Sequence, residues 1–144
     1  MEKINFSISI NAPKEKVWSV LWDKNTYPKW AKVFAEGSDA ITDWNEGSKV
    51  VFGSGSGDGM VSRIETKRPY EFMRFEHLGV VKNNIEDTES EEVKQWAGAM
   101  ESYTLKEENG KTQLTVDMDT SEEYKDYFVN AWPKALEEVK QLSE

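Results

Sequence analysis

The sequence contains no cysteine and a single histidine, His77. Without thiols there is neither a disulfide framework nor thiolate chemistry, and secreted domains of this size often lean on disulfides. One histidine with no cysteine supports zinc poorly. The acids Glu86, Asp87, Glu89, Glu91 and Glu92 lack the alternating spacing and turn glycine of a calcium loop. No metal and no cofactor is therefore expected. No run reaches the roughly 18 apolar residues that cross a bilayer, so no membrane insertion is expected. The opening MEKINFSISINAP has no apolar core of signal-peptide length and enters an alternating pattern at once. The cytoplasm is the expected location.

Positive charge is also short, with 18 basic against 27 acidic residues and a net charge of −9. Such a field repels phosphate backbones, so no nucleic-acid partner is expected. The imbalance is uneven. Residues 1–35 hold six lysines and three acids, a net of +3, which leaves −12 for the remainder. Surface charge of this kind usually serves solubility, and it can also steer a protein partner.

What the chain has in quantity is aromatic residues: six Trp, five Tyr and six Phe among 144. These bury large areas and shape cores and pockets. The length suits one domain, residues 1–144, able to bury about 68–70% of its unfolded surface.

Ile4, Phe6, Ile8 and Ile10 alternate with polar residues and predict a half-buried strand ended by Asn11-Ala12-Pro13. Pro13 suits a first helical position, and Val17, Val20 and Leu21 then form a stripe with Trp18 on its flank. Asn25 to Phe34 reads as a second short helix, with Pro28 in its first turn. Strands are predicted over Ile41–Trp44, Lys49–Phe52, Met60–Lys67 and Tyr70–Leu78. The segment 83–95 has little apolar content and reads as an exposed loop or mobile lid. Ala99–Glu107 and Lys111–Asp119 form a hairpin about Asn109-Gly110, a type I′ signal. Thr120 to Glu123 offers a capping box, after which Tyr124, Phe128, Trp132, Leu136 and Val139 recur at helical spacing. Pro133 should kink that helix. One strand, two short helices, about six further strands and one long helix make an α+β plan.

That order resembles the START-like helix-grip superfamily (SRPBCC), in which a curved antiparallel sheet of six to seven strands wraps a long C-terminal helix. Within it, the chain is similar to the family named after the C-terminal domain of the activator of the ninety-kilodalton heat-shock chaperone's ATPase. The segments that carry the likeness are INAPKEKVWSVLWD, GMVSRIETKRPYEFMRFEHLG, GKTQLTVDM and FVNAWPKALEEVKQL. They span nearly the whole chain and mainly encode packing, so they speak to fold more than to function. The acidic segment 83–95 and Pro133 depart from a simple version of the pattern. The resemblance implies a small apolar ligand held between sheet and helix. It also admits a heat-shock chaperone as partner, with a stress-response role, or polyketide-cyclase-like ring closure.

Strand phase supplies the candidate site. Leu114, Val116 and Met118 share one face. In the partner strand, Ala99, Glu101, Tyr103 and Leu105 share the inward face, and Met73, Phe75 and His77 do so in theirs. His77, Glu101 and Tyr103 thus form a polar cluster in an apolar interior, able to orient a ligand carbonyl or hydroxyl. The alternatives are a purely structural network, or a one-residue phase slip that puts Glu101 in water. Trp18, Trp44, Trp96 and Trp132 line a cavity with Phe52, Phe75 and Phe128, or else fill the core outright. The expected ligand-binding set is Phe52, Phe75, His77, Trp96, Glu101, Tyr103, Phe128 and Trp132, with no catalytic residue assigned. GSGSGDG (53–59) lacks a phosphate-loop ending and precedes a strand, so a hairpin is expected there. A serine triad has no Gly-x-Ser-x-Gly elbow to present it.

Overall fold

The alternation at the N-terminus becomes strand β1 (Glu2–Ile10), whose apolar residues turn toward one face while the lysine, asparagine and serines between them stay in water. The computed structural model describes residues 1–144. Helices α1 (Lys14–Trp22) and α2 (Tyr27–Ala31) follow, then β2 (Asp39–Ile41), β3 (Lys49–Gly53), β4 (Gly59–Arg68) and β5 (Phe72–Lys82). After these come β6 (Ile85–Asp87), α3 (Glu91–Lys94), β7 (Ala99–Glu108), β8 (Lys111–Thr120) and α4 (Glu122–Ser143).

All pairings are antiparallel, in the order β1-β8-β7-β5-β4-β3-β2, with β6 added to the far end of β5. This curved, eight-stranded sheet and its long C-terminal helix form an α+β helix-grip fold. α4 packs on β1 and against α1 and α2, so the apolar interior lies between one sheet face and the three helices. On the inner face, Leu114, Val116 and Met118 are buried opposite Ile8, Phe6 and Ile4. The outer face carries charge pairs such as Arg63–Glu76 at 2.5 Å, which solvent screens to about 1 kcal/mol or less.

Several local expectations change. Pro13 precedes the first helical residue in extended conformation (ψ 157°), so it delivers the chain to α1 from outside. Thr120 completes β8 instead of capping α4; Ser121 takes the cap position and its side chain makes no cap bond. Trp44 (φ 63°) and Tyr70 (φ 69°) stand in the left-handed region outside β2 and β5. The segment 83–95 is more ordered than a loop. Asn83 and Asn84, both at positive φ, close a tight turn that folds β6 back on β5. Ser90 then caps α3 by accepting from the Val93 amide at 3.3 Å. Asn109 (φ 55°) and Gly110 (φ 78°) form the two-residue turn that their identity demands.

Pro133 lies inside α4, where it has no amide to give Val129. The two halves of this helix differ. No residue from Glu122 to Asn130 is fully buried, whereas Ala131, Trp132, Ala135, Leu136 and Val139 are.

Candidate functional site

Four polar side chains join in a line on the inner face of the sheet. A bulge between Val61 and Ser62 lets β5 carry Leu78 as an extra residue, so Ser62 lies opposite His77. Directly paired residues share a face, so Ser62 turns inward with His77 on one side and Val50 of β3 on the other. Ser62 Oγ lies 2.7 Å from His77 Nδ1. His77 Nε2 lies 3.1 Å from Glu101 Oε1, and the Tyr103 hydroxyl donates to Glu101 Oε2. Register explains the second half of the line. His77 pairs with Ala99 and Met73 with Tyr103, so Glu101 falls between them on the same face.

Burial raises the Glu101 pKa, but hydrogen bonding and charge from His77 and the Tyr103 hydrogen bond outweigh it, leaving the carboxyl below its ordinary value. Glu101 is thus held as an acceptor. His77 Nε2 must then carry a proton, and in the neutral ring Nδ1 accepts from the Ser62 hydroxyl. Protonation of the ring reverses that bond. Burial, then the Glu101 charge it contacts, push the Tyr103 phenol well above its ordinary value. Tyr27 is raised likewise, by burial first and then by Glu101 and Asp39. Ser62 has no exposed surface, so it orients His77 and cannot meet a substrate from outside. The Glu101 side chain keeps 17% exposure.

Aromatic rings surround this line. Phe52 stands edge-on to Phe75 at 5.2 Å and to His77 at 6.3 Å. Trp22 meets Tyr103 at 4.8 Å, Phe75 at 5.3 Å and Trp44 at 5.6 Å. Trp132 closes the far side, 5.9 Å from Tyr103 and 4.8 Å from Phe34. The rings touch one another, and Phe52, Phe34 and Trp44 are half-buried at the edge of the cluster. A surface depression lined by Thr104, Lys106, Gln113, Thr115 and Asp117 lies on the outer face and touches none of these rings.

Of the residues expected from sequence, Phe52, Phe75, His77, Glu101, Tyr103 and Trp132 come together. Phe128 sits farther along α4, against Phe34 and Tyr127. Trp96 is half-buried in the turn after α3 and joins no ring of the cluster. Ser62, Trp22 and Tyr27 are additions. Only Trp22 had a usable signal in sequence, its position four residues after Trp18 on α1. Ser62 depends on a bulge that alternation alone does not reveal.

Three solved structures share this architecture. The Aha1 dimer protein of Colwellia psychrerythraea superposes with a TM-score of 0.77 at 19% identity, covering 100% of this chain and 97% of its own. CalU16 of Micromonospora echinospora gives 0.69 at 18% identity, covering 99% of this chain and 76% of its own. DynU16, from the dynemicin biosynthetic locus, gives 0.72 at 15% identity; this chain spans only 46% of its length, and 98% of this chain is covered. At these identities the likeness is one of fold. Among curated proteins, none matches the chain by sequence. The model of one sequence family matches residues 11–144, almost the full helix-grip unit. The chain therefore belongs to the family described as activator of Hsp90 ATPase homolog 1-like protein.

Proposed function

We propose that this domain binds a small, mainly apolar molecule between the sheet and α4, with the molecule's polar group directed at Glu101. The observation that carries this reading is an ionised carboxylate inside an aromatic wall. An apolar core of equal volume is often at least as stable as a buried charge with its partners, so stability alone does not account for the Ser62–His77–Glu101–Tyr103 line. Apolar walls with a few converging polar groups are the usual composition of ligand sites. Phe52, Phe75 and Trp132 supply the walls, Phe128 the outer end beside Phe34, and His77, Glu101 and Tyr103 the polar end. Trp96 has no part beside them. The occurrence of DynU16 in a biosynthetic locus fits a small-molecule guest. The cysteine-free sequence suits a reducing cytoplasm.

The test is native mass spectrometry of gently purified protein, followed by thermal-shift screening with lipids, sterols and polycyclic aromatics. A co-purifying apolar molecule, or a saturable rise in Tm with quenched tryptophan fluorescence, supports the reading. A clean mass with no response across the library defeats it.

The family description supports a second reading, an interaction module for a heat-shock chaperone. The net-positive segment 1–35 or the acids of residues 86–92 would make the contact. Capture of that chaperone at low salt, lost at high salt, supports it; no enrichment at low salt defeats it. Ring-closing catalysis would require His77 and Glu101 as proton carriers. Turnover that survives in a His77→Ala, Glu101→Gln double variant would remove them from any such mechanism.

A further inference from the structure

Trp22 is 7% exposed, and its indole Nε1–H is a buried side-chain donor that no atom accepts. Two neighbouring buried indoles are satisfied: Trp30 donates to the Leu21 carbonyl at 3.2 Å, and Trp132 to Met118 Sδ at 3.1 Å. Buried donors are nearly always paired in native proteins, and an orphan calls for an explanation. Phenylalanine would fill an aromatic cluster without this cost.

Extending the binding reading above, we infer that Trp22 Nε1–H receives a hydrogen-bond acceptor from the guest, and that the guest is a flat, uncharged aromatic molecule bearing a carbonyl or ether oxygen. Three observations define that class. The rings around Trp22 stand at angles of 46° to 82° to it, so a guest seated among them meets flat aromatic surfaces. The neighbouring charge is negative: Tyr103, 4.8 Å from Trp22, donates to Glu101, so an anionic guest would face a carboxylate. Among the rings around Trp22, Trp44, 5.6 Å away between centroids, is the half-buried one placed to yield. Trp44 is half-buried at φ 63°, a conformation costly for a bulky side chain, and is held there by Lys67 Nζ on its carbonyl at 2.6 Å and by Thr42 Oγ1 on its amide at 3.2 Å. Moving Trp44 opens space against Trp22.

The test compares 9-fluorenone, fluorene and fluorene-9-carboxylate, which share one ring system and differ in the group presented. In wild type, the ketone should bind about tenfold more tightly than the hydrocarbon, the value of one hydrogen bond to a buried donor. In Trp22→Phe the ketone-to-hydrocarbon ratio should fall to about one. In Trp30→Phe it should persist, because that donor is already used. The Trp22 indole proton of the wild type should shift downfield with the ketone alone, which keeps the test valid if Trp22→Phe folds poorly. Equal affinities in wild type, a ratio that survives Trp22→Phe, or tightest binding of the carboxylate overturns the inference. If none of the three binds at millimolar concentration, the binding reading itself fails and takes the inference with it.

Discussion

Ser62 and His77 face each other across β4 and β5 with 2.7 Å between Oγ and Nδ1, and the bulge at Val61/Ser62 makes that contact possible. The serine holds one imidazole nitrogen so that the other addresses Glu101. Ser62→Ala leaves Nδ1 buried without a partner, which should cost about 1–3 kcal/mol. At about 2–4 °C per kcal/mol for a domain near this size, the loss is visible by calorimetry. Nitrogen NMR should keep the Nε2–H tautomer that Glu101 fixes, with the Nδ1 resonance shifted by loss of its hydrogen bond. An unchanged Tm with an unmoved Nδ1 resonance would mean that Ser62 does not orient the histidine.

The lowered Glu101 carboxyl and the raised phenols of Tyr103 and Tyr27 set two pH limits. A carboxyl whose folded pKa is depressed stabilises above its unfolded value, 4.5 for Glu101, and that contribution disappears as pH falls through the folded value. A phenol whose folded pKa is raised stabilises fully below its unfolded value, 10.0 for these tyrosines, and the contribution is lost as pH rises beyond it. Urea midpoints should therefore be flat between these values and fall on both sides. Glu101→Gln should make the acid limb shallower. An acid limb identical in wild type and variant would show that Glu101 does not carry it.

Pro133 interrupts α4 where the helix passes from its half-exposed to its buried half. Pro133→Ala restores an amide donor toward Val129 and should raise stability by about 1–2 kcal/mol, below the full proline penalty because the wild-type helix has already adapted. If the hydrogen bond missing at Pro133 helps α4 admit the guest, the same variant should slow ligand association measured by stopped-flow fluorescence. A lower Tm would show that the proline is needed for packing.

A side chain at Gly79 would place its Cβ 2.1 Å from the Asp87 carbonyl oxygen, closer than any real contact. Gly79→Ala should push β6 off β5 at a cost of about 1–3 kcal/mol, with faster hydrogen exchange at residues 85–87. Unchanged exchange there would mean that β6 is not latched through this approach.

Fold and site differ in how far they could be read from sequence. Alternation of Leu114, Val116 and Met118 about polar neighbours fixes one strand's phase, and the Asn109-Gly110 turn transfers it to Glu101 and Tyr103. His77 follows from the same logic along β5. The meeting of Ser62 with His77 does not, because it depends on one extra residue in β5, Leu78, that interrupts the alternation of that strand. β6 was hidden for another reason. Three residues rich in charge have no period to detect, and their pairing depends on the Asn83-Asn84 turn and on Gly79. Trp96 illustrates the limit of composition: its backbone meets Ala99, the partner of His77, yet its ring joins none of the ring pairs of the cluster.

If the aromatic interior admits a guest whose polar end meets the Glu101 line, a nitrogen–proton correlation spectrum of the six tryptophan indoles will report it as uncharged polycyclic aromatics are titrated in. Saturable shifts are expected at Trp22, Trp44 and Trp132, with Trp96 unmoved. No movement at the first three, or movement at Trp96 alone, would contradict it.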